Sequence, residues 1–361
     1  MADADLPLYR AFPALERALP RVPFVCVPTP VEALALDGVA KGLLFVKRDD
    51  RSCPLYGGNK PRKLEFLLGR ALARGSRTLI TTGGLGTNHG LAMTILGRSV
   101  GVASVLVLVD QPVTAGVRET LRLQFAYGAQ QIAAGNVAGA AVQTLRALAI
   151  SALRGERPQL VPTGGSSALG DVGFVSAGFE LAEQVRAGAC PEPETIYLPV
   201  GSGGSVAGLT LGLRLAGLRS RVLGVLVTDI LPPSSASLAR TARSTLRLLR
   251  RADPSVPQLE ISASEFSLAR DQLGPGYGAP TKAATEALAA AKALGLQLDT
   301  TYSAKALAAI RERAARGELG AGPVLFWDTY NTVDVAAAAP RAASESDLPA
   351  SVRKALARAS R

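Results

Sequence analysis

From about residue 77 onward, short runs of β-branched and aliphatic residues alternate with amphipathic stretches, and that alternation restricts the chain to helices packed on a mainly parallel sheet. RTLITT (77–82) reads as a strand, then a glycine loop, then a helix over about 88–100. SVLVLV (104–109) is a second strand followed by a helix over about 114–127, and QQIAA (130–134) with the alanine-rich 137–153 continues the pattern. A second series begins near QLVP (159–162) and runs through FVSAGFELAEQV, the strand TIYLPV (195–200), the helix SVAGLTLGLRLAG and the strand RVLGVLV (222–228). Helices near 233–251, 280–294 and 303–316 lead to a last strand, PVLFW (323–327). Two series predict two α/β lobes, each an open sheet flanked by helices. The first 66 residues must pack with the second series if Lys60 is to meet loops from both. The expected domains are therefore 1–66 with 171–361, and an inserted, smaller 67–170. Residues 338–361 carry little structure signal and are expected at the surface.

Composition narrows the class. With 361 residues, 48% hydrophobic and 19% charged, the chain is globular and extensive disorder is excluded. No stretch reaches the about eighteen apolar residues that a spanning helix needs, and MADADLPLYR opens with acids where a secretion signal is basic, so a cytoplasmic protein without a membrane partner is expected. Cys26, Cys53 and Cys190 are too scattered for a disulfide framework or a zinc knuckle and are expected as buried thiols. The net charge of +11 comes largely from arginines spread along helices, as in RSTLRLLRR (243–251), without aromatic interleaving. That is a solvated face, not a nucleic-acid site, and it is compatible with anionic small molecules.

Three loops carry chemistry. In YGGNKPRKLEF (56–66), Pro61 suits a first helical position, and Leu64, Leu67, Leu68, Ala71 and Leu72 mark one apolar face. Lys60 is thereby presented on a tight, exposed glycine turn, although an isolated GGNK also fits a plain surface loop. GGLGTNHG (83–90) ends a strand and enters a helix, which makes either an anion cradle or simply a cap built by Thr87 and Asn88. His89 is the sole histidine, so no multi-histidine metal site is expected, and His89 is read either as a residue that supports the groups touching the substrate or as a substrate contact itself. GSGGSVAG (201–208) follows TIYLPV, with hydroxyls at Ser202 and Ser205. Asp229 at the end of the next strand stands where a ribose-binding acid would, but Val206 breaks GxGxxG and no GK[ST] follows. A lone phosphate is the more economical ligand. Pyridoxal phosphate explains a phosphate cradle, a lysine amine and a second anion loop together.

KRDD (47–50), GGNKPRKLEF (57–66), GGLGTNHG (83–90), GSGGSVAGL (201–209), GYGAP (276–280) and LDTTYSAKA (298–306) resemble, in order and spacing, the D-cysteine desulfhydrase and 1-aminocyclopropane-1-carboxylate deaminase family. These are pyridoxal 5'-phosphate enzymes of the tryptophan synthase β-subunit type, fold type II, and the likeness runs from about residue 25 to 335. GGNKxRKLE also differs from the SxKDR-type motif of cysteine synthases.

The resemblance implies that Lys60 joins the cofactor aldehyde and moves the α-proton, and that Asn88 meets the pyridine 3-hydroxyl. Gly201, Ser202, Gly203, Gly204 and Ser205 would hold the phosphate. Thr87 stands where the family usually has serine, at a position facing the substrate carboxylate or the reacting proton. Tyr277 and Tyr302 match two active-site tyrosines; Tyr277 would also touch substrate, and either phenol becomes an acid or base if its pKa is lowered. Ser303 and Thr329 fall near the pyridine nitrogen, where cyclopropane deaminases carry a glutamate at the position of Ser303 and desulfhydrases a threonine. A hydroxyl there makes a weaker electron sink and favours β-elimination over ring opening. Family members often read HTGG where this chain has WDTYN (327–331), so Tyr330 and Asn331 replace two glycines. The implied activity is a lyase that takes a small amino acid with a β-leaving group to a 2-oxo acid and ammonia. Cyclopropane deamination, β-replacement, racemisation and a non-catalytic sensor remain alternatives, and a homodimer is implied by analogy.

Overall fold

The computed structural model describes residues 6–359. The acidic opening at 1–5 and the last two residues of the basic terminus lie outside the described residues. Ten strands form in chain order: β1 (Val31–Ala33), β2 (Leu44–Arg48), β3 (Thr78–Gly84), β4 (Ala103–Val109), β5 (Gln130–Gly135), β6 (Gln159–Val161), β7 (Thr195–Val200), β8 (Arg221–Leu226), β9 (Ser267–Ala269) and β10 (Val324–Asp328). The chain divides into two compact units. One takes the described residues through Phe66 with Ser166–Thr332, and the other takes Leu67–Gly165 and the chain from Val333 on.

In the first unit the strand order is β1-β2-β10-β7-β8-β9, with β1 antiparallel to β2 and every other pair parallel. Central parallel strands are covered on both faces and therefore read as unbroken apolar runs. β10 fits that rule through Val324, Leu325, Phe326 and Trp327, all buried, and ends on Asp328, which is buried as well. Alanines of the helices Lys282–Ala293 and Ser303–Ala315 pack with Leu44, Val46, Val324 and Phe326 in one core cluster. Because β2, β10, β7 and β8 run parallel, the loops after Arg48, Asp328, Val200 and Leu226 all leave from one edge of the sheet. Open parallel sheets bind ligands at that edge.

The second unit has the order β5-β4-β3-β6, all parallel. Its core joins Ile80, Val105 and Val107 to Ala140 and Ala147 of the helix Val137–Leu153. Residues from Val333 on are tied into this unit. Tyr127 donates to the Val335 carbonyl at 2.8 Å, Arg118 pairs with Glu345 at 2.8 Å, and Arg358 pairs with Asp110 at 2.6 Å.

Several expectations are corrected. The stretch 338–361 holds a helix, Ala350–Ala359, that buries Val352, Ala355 and Leu356. Its apolar positions are few and separated by arginine, lysine and serine, so the local pattern was faint. Cys26 is exposed, while Cys53 and Cys190 are buried. Leu72 is 42% exposed, at the outer edge of the face it was assigned to. The last strand includes Asp328, and the strand expected over 222–228 is Arg221–Leu226. Among the described residues no helix is long and apolar enough to cross a membrane, and no group of three or more His, Cys, Asp or Glu side chains could hold a metal ion.

Candidate active site

Lys60 opens the helix Lys60–Ala73, immediately after the turn at 57–59. The turn is not exposed as expected: Gly57 and Gly58 are buried, and Lys60 is only partly accessible. Backbone contact is the reason. Gly58 has φ +81°, and a Cβ there would collide with the carbonyl oxygen of Thr329. Burial, with the neighbouring Lys63 ammonium and partly offset by Asp299, lowers the Lys60 pKa to about 7. A large fraction of this lysine is therefore a neutral amine near neutral pH, the form that attacks a carbonyl.

The loop 201–203 joins β7 to the helix Gly204–Leu215. Gly203, at the N-cap, has φ +86° and has no side chain to cap the helix, so the N–H groups of the first turn beyond Gly204 are left for an anion. Side chains close the cradle. Ser166 Oγ accepts from Lys63 Nζ at 3.0 Å and from the Gly204 N–H at 3.2 Å, and lies 2.7 Å from Ser202 Oγ. Asp171 sits 3.6 Å from Lys63 Nζ, and a Cβ on Gly204 would collide with the Asp171 carboxylate. Burial pushes Asp171 up to about 6, against the pull of Lys63. Asn59 Nδ2 reaches Ser205 Oγ at 3.4 Å, so the lysine turn and the glycine loop are one assembly.

A second group of residues flanks the loop. The Tyr277 and Tyr302 hydroxyls are 2.7 Å apart with the rings edge to face, and a Cβ on Gly201 would lie 3.4 Å from the Tyr302 ring. Burial raises both phenols above the ordinary tyrosine value. The condition for a tyrosine base, a lowered pKa, is thus not met, and each phenol is present at neutral pH as a proton or hydrogen-bond donor. Asp229 accepts the Tyr277 N–H at 2.9 Å, which gives that acid a role in closing the 276–277 turn. Asp299 accepts the N–H groups of Thr301, Tyr302 and Ser303 and the Ser303 hydroxyl, the last at 2.7 Å. Ser303 Oγ also accepts the Asp299 N–H at 2.9 Å, so its proton is used inside the turn. Thr329 is buried directly after β10, and its carbonyl accepts the Asn59 N–H at 3.3 Å.

Thr87, Asn88 and His89 belong to the second unit. Thr87 caps the helix Asn88–Ser99 by accepting the Gly90 N–H at 3.2 Å. His89 is buried beside Gly165, where a Cβ would come within 3.1 Å of its ring.

Comparison with known proteins decides the family. Residues 23–329 match the family described as pyridoxal-phosphate dependent enzyme. The chain belongs to that family. The pyridoxal phosphate enzyme is 33% identical over 323 residues to nocardicin C-9' epimerase of Nocardia uniformis subsp. tsuyamanensis, covering 87% of this chain and 94% of the relative. It is 32% identical over 324 residues to D-cysteine desulfhydrase of Klebsiella pneumoniae (strain 342), covering 86% and 93%. Among solved structures, an ACC deaminase homologue superposes with a TM-score of 0.75 at 28% identity, covering 88% of this chain and 93% of that one. The processed form of threonine deaminase isoform 2 from Solanum lycopersicum shares the fold, with a TM-score of 0.57 at 15% identity over 90% and 88% of the two chains. The α/β fold type II architecture and the family inferred from the motifs agree with these findings.

The residues fit the cofactor this family uses. A neutral amine, a helix N-terminus whose N-cap is a bare glycine, and a Gly204 packed against the polar side chains of Lys63, Ser166 and Asp171 suit an aldehyde that carries a phosphate. Sequence reasoning missed Lys63, Ser166 and Asp171. The signals were present: Lys63 lies one helical turn beyond Lys60, and GGSSALGD (164–171) follows strand β6 as the other glycine loops follow theirs.

Proposed function

We propose that this enzyme is a lyase that eliminates a β-substituent from a small amino acid such as D-cysteine, releasing a 2-oxo acid and ammonia. The supporting observation is a lysine amine lowered to about 7 on a turn bonded, through Asn59 and Ser205, to a glycine cradle at a helix N-terminus. Pyridoxal phosphate bound there supplies the electron sink that makes an α-proton acidic. Lys60 then carries that proton, since near neutral pH its amine both accepts and returns it. Gly201, Ser202, Gly203, Gly204 and Ser205, with Lys63 and Ser166, hold the phosphate. From the resemblance we carry over Asn88 as the residue that orients the ring, and Thr87 and His89 as substrate contacts. The neutral phenols of Tyr277 and Tyr302 donate a proton or hydrogen bond to the departing group or the carboxylate, and Ser303 and Thr329 lie toward the ring nitrogen. A homodimer is the assembly we carry over from the resemblance.

A second reading is epimerisation at the α-carbon, favoured by the 33% identical epimerase relative. It would use the same Lys60 to remove the α-proton and a neutral phenol, Tyr277 or Tyr302, to return one. Incubation with D- and L-cysteine and β-chloroalanine in deuterated water separates the two. Release of 2-oxo acid supports elimination. Recovered amino acid carrying α-deuterium and mixed chirality, with no 2-oxo acid, sinks elimination in favour of epimerisation, and neither outcome leaves a cofactor-bound sensor. In the active reaction, Tyr302→Phe is expected to lower kcat by about 10²-fold or more, the usual share of a positioned proton donor. Visible absorbance of the bound cofactor should be unchanged, and loss of that absorbance would mean the phenol serves binding instead.

A further inference from the structure

The segment that leaves β10 departs from the HTGG pattern at Asp328, Tyr330 and Asn331, and it runs against the turn that carries Lys60. Asp328 Oδ1 accepts the Tyr330 N–H at 3.1 Å, which bends the backbone directly after the strand. Asn331 is thereby brought to the lysine turn, where its Oδ1 accepts the Gly57 N–H at 2.6 Å across 274 residues of sequence. One further bond reaches the same turn, and another ties the segment to the backbone that the turn packs on. The Thr329 carbonyl accepts the Asn59 N–H at 3.3 Å, and Thr332 Oγ1 donates to the Asp50 carbonyl at 3.0 Å. A Cβ on Gly57 would collide with that Asp50 carbonyl, and one on Gly58 would lie 2.9 Å from the carbonyl of Tyr330. The two backbones are in contact, so neither segment shifts without the other.

We propose that Asn331 is a positioning residue that holds the glycine turn, and through it Lys60, in register with the phosphate cradle. The inference rests on Lys60 being the residue that the cofactor joins. A glycine at 331 would leave the Gly57 N–H to water, whereas a short carboxamide supplies a fixed acceptor within the protein. Of the two side chains that replace glycines here, the one at 331 serves the lysine and not the substrate.

Amide exchange of the cofactor-free protein tests this, followed over the peptide that contains Gly57. Asn331→Leu keeps the size and removes the acceptor, and is expected to speed exchange at Gly57 about tenfold. Asn331→Asp keeps an acceptor and is expected to retain the protection. A second measurement is the pH midpoint of the rate at which added pyridoxal phosphate becomes fixed by borohydride. That midpoint should lie near 7 in the parent and rise toward the ordinary lysine value in Asn331→Leu, as the loosened turn admits water to the amine. If the leucine variant does not fold, Asn331→Gly is read in the same way. Unchanged exchange and an unchanged midpoint overturn the proposal, as does an aspartate variant that loses protection as fully as leucine. Peptide mapping of the reduced protein separates the premises: label on Lys60 with unchanged exchange sinks the role of Asn331 alone, and label on another lysine sinks the Lys60 assignment and this proposal with it.

Discussion

Lys60→Met protein, prepared free of cofactor, is expected to resist urea better than its parent at pH 6 to 7, and to lose that advantage by about pH 10. The sign follows from linkage. Lys60 has a folded-state pKa of about 7 against an ordinary 10.5, so between those values the unfolded chain holds a proton that the folded chain has released. Stability contributed at this position therefore rises as pH increases through that window, and the penalty is fully present below about 7. At about 1.36 kcal/mol per pKa unit, and after a discount for the partial exposure of the side chain, the gain on substitution is ~2–4 kcal/mol. The same variant is expected to retain no borohydride-fixable cofactor and to lose turnover by about 10³-fold or more. Urea curves for parent and variant that stay parallel from pH 6 to 10 would mean that the amine is not desolvated in the folded protein. A stabilised but inactive variant is the signature of a group kept for chemistry at a cost to the fold.

Arg62→Met should be the most damaging single change away from the reacting atoms, at about 3–5 kcal/mol. Arg62 forks onto Asp49 at 2.8 and 2.7 Å and reaches Glu180 at 2.8 Å, and Lys47 meets the other oxygen of Glu180 at 2.5 Å. Trp327 Nε1 donates to Asp49 at 2.7 Å, and all five side chains are buried. Two cations and two anions balance, so loss of Arg62 leaves an uncompensated buried negative charge. Burial alone would raise Glu180, but Arg62 and Lys47 outweigh it and hold the carboxyl at about 2. The stability this contributes is present above the ordinary carboxyl value and fades as pH falls toward 2, so parent and variant should converge in acid. Arg62→Lys keeps the charge without the planar fork and is expected to fall between them. Chemical denaturation at pH 7 and pH 3 measures both effects, and a loss below about 1 kcal/mol at pH 7 would show that the remaining groups reorganise or hydrate. Because Arg62 lies two residues beyond Lys60 on the same helix, cofactor retention should weaken in the variant as well.

Sequence pattern disclosed the parts of this molecule that are local. Alternating runs exposed the strands, because a parallel strand covered on both faces is apolar over most of its length, and GSGGS after TIYLPV exposed the cradle, because a phosphate needs bare N–H groups at a helix start. The lysine turn was legible as a turn but not as a covered one. Its cover is the backbone of 329–331, and nothing in GGNK encodes which distant carbonyls will press on it. Trp327 is legible in sequence as the end of the strand PVLFW and as part of WDTYN, but not as a hydrogen-bond donor. Its indole bond to Asp49 spans 278 residues and has no periodic trace. Ser303 illustrates a different gap: its place in TYSAKA fits a ring contact, while its proton goes to Asp299, a bond that depends on side-chain rotation and not on spacing.

The helix Ala350–Ala359 also bears on how this polypeptide matures. Val352 and Leu356 complete the hydrophobic interior of the unit that otherwise spans Leu67–Gly165, yet they are synthesised nearly two hundred residues after it. Without that helix, the apolar surface that Val352 and Leu356 cover would face water. Closure of this interior therefore depends on a segment made after the unit's own sheet is complete.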